Sequence, residues 1–165
     1  MKKQLELYLR NVIFGVTDSL VSTVGLLSGI DVSGTPRNVI ILTGVVYAFV
    51  EAFSMAVGSF LSEESAEEVE ANGEVADGNA LVGGVVMFIS FILASFIPIV
   101  PYMLFGVGQA LWMSIGFSLL ALLVTGFISA RITKVNIMSH GLRMVLLGGA
   151  AILIGIIVGR FVKIN

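Results

Sequence analysis

The chain has 165 residues, of which 57% are hydrophobic and 12% charged, with a formal net charge of −2 and a mean hydropathy of +1.04. An average soluble chain is about a quarter charged, so these values exclude an ordinary soluble globule and indicate a polytopic membrane protein. Cysteine is absent, which excludes disulfides, zinc-thiolate sites and thiol catalysis.

Residues 1–9 read as a short amphipathic lead-in at the membrane surface, carrying Lys2, Lys3 and Glu6. The first apolar run covers about residues 10–30, enough at 1.5 Å per residue to cross a hydrocarbon core about 30 Å thick. It is too long for a signal peptide and has no small-residue cleavage site behind it, so it is expected to stay in the mature protein. Asp18 is its internal charge, and Gly25 and Gly29 form a GxxxG spacing that admits a close helix neighbour.

A turn follows at residues 31–34, and Thr35-Pro36 reads as an N-cap with proline at the first helical position. The second span, about 36–62, is longer than a bilayer needs, so its last turns should project into water. Gly44, Ala48, Ala52 and Ala56 make a small-residue ridge along it. The segment 63–78 carries seven acidic residues and neither Lys nor Arg, with Asn72-Gly73 and Asp77-Gly78 as stop and turn signals.

The third span, about 79–104, is uncharged, and Pro98 and Pro101 are expected to kink or end it. The fourth covers about 107–129, with Trp112 and Tyr102 expected as interfacial anchors. A basic loop at 131–143 leads to the fifth span, about 144–161, where Ala151, Gly155 and Gly159 give another small-residue face. The fold class is therefore all-α: a single five-helix transmembrane domain over residues 1–165, with an acidic segment at 63–78. Five spans put the termini on opposite sides. Lys2, Lys3, Arg10, Arg131, Lys134 and Arg143 then oppose Arg37, Arg160 and Lys163, and six charges against three favour a cytoplasmic N-terminus and a cytoplasmic acidic segment.

Two carboxylates inside spans demand a use, because each costs roughly 2.5 to 3.5 kcal/mol to insert at the bilayer centre. Glu51 stands in the second span, and Met55 one turn later lies on the same face. With Asp18 they offer two hard oxygen ligands and a thioether. Carboxylate suits Mg²⁺, Ca²⁺ and Mn²⁺, while sulfur shifts preference toward softer ions such as Fe²⁺. Carboxylates at depth also exchange protons as a cation leaves them, which couples metal movement to proton movement. The competing structural reading pairs Asp18 with Arg10 and makes Met55 a gap-filling core residue. Glu63, Glu64, Glu67, Glu68, Glu70 and Glu74 read either as a cation-collecting patch at the cytoplasmic mouth or as a solvated helix end. His140, the sole histidine, is expected to be solvated or to touch headgroups. No phosphate loop, nucleophile elbow or Ser/His/Asp set is present, so an enzyme is not expected, and nothing suggests a nucleic-acid partner.

The stretch FGVTDSLVSTVGLLSG of the first span resembles the opening helix of the vacuolar iron transporter family, which includes the nodulin-like iron transporters. AFSMAVGSFLS resembles that family's second helix, FIPIVPY its third, and GLRMVLLGGAAILIGIIVGR its last. The resemblance implies a homodimer that carries Fe²⁺, and often Mn²⁺, out of the cytoplasm in exchange for protons, along a path lined by helices 1 and 2. By position it transfers the first-helix aspartate to Asp18 and the second-helix methionine to Met55; Glu51 is added from helical spacing alone. Ser59 stands where many members have glutamate and Ser19 where many have glycine, and 63–78 is too short for the large helical metal-binding domain of other members. The ions are cargo, and no resident cofactor is expected. Alternative readings are a membrane metal sensor that moves nothing, or a metal channel that needs no proton gradient. The expected location is a multi-pass position in a lipid bilayer, the plasma membrane by default.

Overall fold

The structure, a computed structural model, describes residues 2–70, 79–106 and 108–162. Among them are five helices and no strand: α1 (Lys2–Val32), α2 (Arg37–Glu70), α3 (Asn79–Leu104), α4 (Gln109–Thr133) and α5 (Ile137–Phe161). Each is long and apolar enough to cross a membrane. In a bilayer the backbone must satisfy its own hydrogen bonds, and a continuous helix does so within one segment. The protein is an integral, multi-pass, all-helical membrane protein.

Helix ends reach further than the apolar runs. The lead-in at residues 2–9 is not a separate element but the first turns of α1. The stretch 131–143, read as a loop, is largely helical, with only residues 134–136 outside α4 and α5. The reason is local: Asn136 Oδ1 accepts from the Ser139 backbone N–H at 3.1 Å and caps α5, while Lys134 closes α4 in the left-handed region with φ 57. Between α1 and α2, Gly34 at φ 90 makes the turn. The Pro36 carbonyl accepts the first bonds of α2, from Val39 and Ile40. Pro36 is thus the cap rather than the first helical residue, and the Thr35 hydroxyl is shared with Ser33 at 2.9 Å.

α1 is the centre of the bundle and touches all four other helices. Its Gly25 and Gly29 receive Ala151, Gly155 and Gly159 of α5 so closely that a Cβ on Gly29 would stand 2.6 Å from the Gly155 carbonyl oxygen. Both small-residue faces foreseen in the sequence are therefore spent on one another, inside the subunit. The α2 ridge is used in the same way. Gly44, Ala48 and Ala52 are buried, and Gly84 of α3 approaches the Ala56 carbonyl. α2 consequently packs chiefly on α3 and only lightly on α1.

Neither proline ends α3, which passes through Pro98 and Pro101 to Leu104. Its neighbours supply hydrogen bonds around that region. Ser114 of α4 donates to the Pro98 carbonyl at 2.8 Å, and Arg37 donates to the carbonyls of Tyr102 and, at 2.7 Å, Met103. A guanidinium on the last carbonyls also complements the helix dipole. Trp112 is exposed near the start of α4, as an interfacial anchor would be. Tyr102 is not such an anchor. At 1% exposure it packs with Leu27, Ile40 and Ile99, and its hydroxyl lies close to the Asp31 carboxylate without reaching hydrogen-bond geometry. The ring thus belongs to the apolar cluster where α1, α2 and α3 meet.

Candidate metal path between the first two helices

α1 and α2 run antiparallel, so equal steps along them in opposite directions bring successive residues face to face. On α2 the positions Tyr47, Glu51, Met55, Ser59 and Glu63 follow one another at every fourth residue, which makes a slowly turning stripe. α1 answers with Ser22, Asp18, Asn11 and Arg10. Tyr47 brings its hydroxyl to Ser22, and Glu51 lies within electrostatic reach of Asp18. Ser59 donates to Asn11 Oδ1 at 3.2 Å, and Glu63 forms an ion pair with Arg10. In this register Met55 falls between the Asp18–Glu51 and Asn11–Ser59 layers. The result is a polar seam along the α1–α2 contact that carries charged side chains into the bundle.

The seam brings together Asp18 and Glu51, both half-buried, and Met55 beside them is half-buried too. Neither carboxylate has an ion-pair partner among the described residues. The pairing of Asp18 with Arg10 is not formed, since the Arg10 guanidinium goes to Glu63 instead. Ser22 holds the wall of the site by donating to the Asp18 backbone carbonyl at 2.7 Å. Among the described residues no three His, Cys, Asp or Glu side chains gather into a chelating group. Any ion in the seam would have to complete its shell with Met55, hydroxyls, water or groups from another copy.

The acidic patch divides. Glu63 is enclosed and paired, Glu64 and Glu67 are half-buried, and Glu68 is exposed. One Glu67 oxygen is enclosed without a hydrogen-bond partner. The Glu70 side chain and all of Glu74 lie outside the described residues. His140 is half-buried with Nε2 enclosed.

Sequence reasoning passed over Tyr47, Ser22 and Asn11. The signal for Tyr47 was available in the fourfold spacing of α2, but a lone hydroxyl or amide in an apolar run is usually a packing residue, and only the facing helix gives Ser22 and Asn11 of α1 a further meaning.

The profile of the VIT family matches residues 9–76 and 70–160, nearly the full length. The chain belongs to the VIT family. It is also similar to an uncharacterized protein of Methanocaldococcus jannaschii, with 27% identity over 154 residues that cover 82% of this chain and 80% of that one. Membership makes this VIT protein a membrane metal-ion transporter in broad class, and the first matched segment holds the seam residues Asp18, Glu51, Met55 and Glu63.

Proposed function

We propose that this VIT family protein moves Fe²⁺, and also Mn²⁺, out of the cytoplasm in exchange for protons, with Asp18, Glu51 and Met55 ligating the ion in passage. The observation that carries the reading is that Asp18 and Glu51 stand within electrostatic reach of each other across the α1–α2 seam. Two like charges at membrane depth repel each other and lose hydration. A divalent cation or a proton relieves both penalties, so the two compete for one place. Met55 supplies a soft ligand that favours Fe²⁺ over Mg²⁺ and Ca²⁺.

The same reading has the chain working as a homodimer through α1 and α2. The small-residue faces do not support this, since they are consumed within the subunit. Support comes from the open side of the seam and from the outward stripe of Leu42, Val46, Phe49 and Phe53 beside it. A second copy would cover both and bring a second Asp18–Glu51 pair. The N-terminus is placed in the cytoplasm on the charge bias of the flanks, with the acid-rich end of α2 on the same side.

The test is Fe²⁺ flux into proteoliposomes, with and without an imposed proton gradient, for the wild type, Met55→Ala and Asp18→Ala. Exchange requires that flux depend on the gradient and that both substitutions abolish it in folded protein. Flux without any gradient dependence would make the protein a channel. Metal binding with no flux under any gradient would sink transport and leave a sensing role.

A further inference from the structure

We propose that Arg10 is a tethered counter-ion, which holds the Glu63 carboxylate at the cytoplasmic mouth of the seam and yields it to an arriving divalent cation. This deepens the transport reading and rests on it for the identity of the seam. The pair is lopsided. The Arg10 side chain is 64% exposed, whereas that of Glu63 is 15% exposed. The acid is therefore fixed in the protein while the base reaches in from water and can swing away.

Position gives the pair its meaning. Glu63 ends the same stripe of α2 that carries Ser59, Met55 and Glu51, each four residues apart, or about 6 Å of rise. An ion leaving Glu63 inward meets Ser59 and Asn11 next. Asn11 is 3% exposed, and its amide nitrogen is buried with no hydrogen-bond partner, pressed toward Gly83 of α3. Ser59 closes one side of that layer by donating to Asn11 Oδ1, while the amide nitrogen, a donor that cannot ligate a cation, stays unmatched on the side of α3. The two neutral oxygens of the layer, Ser59 Oγ and Asn11 Oδ1, are of the type that suits a hard divalent ion keeping part of its water.

The chemistry of Arg10 decides how the mouth opens. A guanidinium stays protonated at any physiological pH, so it cannot release Glu63 by titration and leaves only by displacement. An ion pair with one partner largely in water is weak, and a doubly charged ion has the larger Coulomb attraction for the same carboxylate. Monovalent cations lack that advantage. Arg10 thus keeps Glu63 neutralised at rest and favours divalent over monovalent arrivals.

The test is Mn²⁺ titration of the purified full chain, with free Mn²⁺ read by electron paramagnetic resonance. Arg10→Gln should tighten Mn²⁺ binding by about 1.5- to 5-fold, the worth of a solvent-exposed pair that no longer competes. Glu63→Gln should weaken it, Arg10→Lys should stay near wild type, and the double substitution should behave as Glu63→Gln alone. A pair that serves only to hold the helices together predicts the same direction of change for Arg10→Gln and Glu63→Gln. That result, or no shift in either, overturns the proposal. Because the chain has no native cysteine, Arg10→Cys offers a second comparison on one folded protein. A cationic thiol label should restore wild-type binding and a neutral label of similar size should reproduce the tightening; equal binding with both overturns the proposal as well. Flux is scored separately, so a wild type that carries no metal defeats the transport reading while the binding comparison still decides the role of Arg10.

Discussion

Met55 and the two carboxylates beside it differ in what their loss should do. If the proposed path holds, replacing Met55 by alanine removes its soft ligand and leaves the charge, so Fe²⁺ flux is expected to be lost while Mn²⁺ flux falls less. The ratio of the two rates in the same proteoliposomes checks this; an equal loss for both ions would mean that Met55 only packs. Glu51→Gln leaves a neutral oxygen in place and removes the repulsion with Asp18. It is expected to abolish gradient-dependent flux without lowering stability, since the seam then buries one charge fewer. Asp18, Glu51 and Met55 were legible in the sequence because a charge in an apolar run is conspicuous and helical spacing carries the eye to its neighbour. Ser22, Tyr47 and Asn11 were not, because hydroxyl and amide side chains are common in spans and acquire significance only from what faces them.

At the scale of elements, the bundle is held by glycine contacts and by one guanidinium clamp. Gly29→Ala would set a methyl group 2.6 Å from the Gly155 carbonyl oxygen, backbone that cannot give way. Overpacking of this kind costs about 1–3 kcal/mol, and a lowered unfolding temperature in detergent is the expected result. Gly58→Ala is the control, since a Cβ there meets nothing within 4 Å. Arg37→Ala removes the donor from the Tyr102 and Met103 carbonyls at the end of α3. Hydrogen bonds from a charged donor are worth about 1.5–3 kcal/mol, so this variant too should unfold earlier. A wild-type melting curve for either substitution would show that the contact does not bear on stability.

For the whole molecule, the ion pair of Arg10 with Glu63 and the clamp of Arg37 on α3 mark opposite ends of the bundle. Single cysteines placed at Ser65 and Ser139 should be labelled by an impermeant thiol reagent from the cytoplasmic side, and those at Gly34 and Gly106 from the other. The native chain contributes no background, having no cysteine. Labelling of Ser65→Cys and Gly34→Cys from one side would overturn the orientation of α2. A cysteine at Phe53, on the outward stripe, should cross-link to its equivalent in a second copy if the seam is closed by a dimer; its absence in functional protein would remove helix 2 from that interface.

The number of helices, their apolar character and the chain's family were determined by the sequence alone, because hydropathy and span length answer to the bilayer and not to any neighbour. The small-residue ridges were equally visible there, but not what they pack against. Tertiary structure decided that Gly25 and Gly29 meet α5, that Tyr102 turns inward and that Arg10 reaches Glu63 instead of Asp18. Each of these depends on which helix stands beside α1 and at what register. A period of four residues says which side chains share a face; only the packed bundle says which face looks at which.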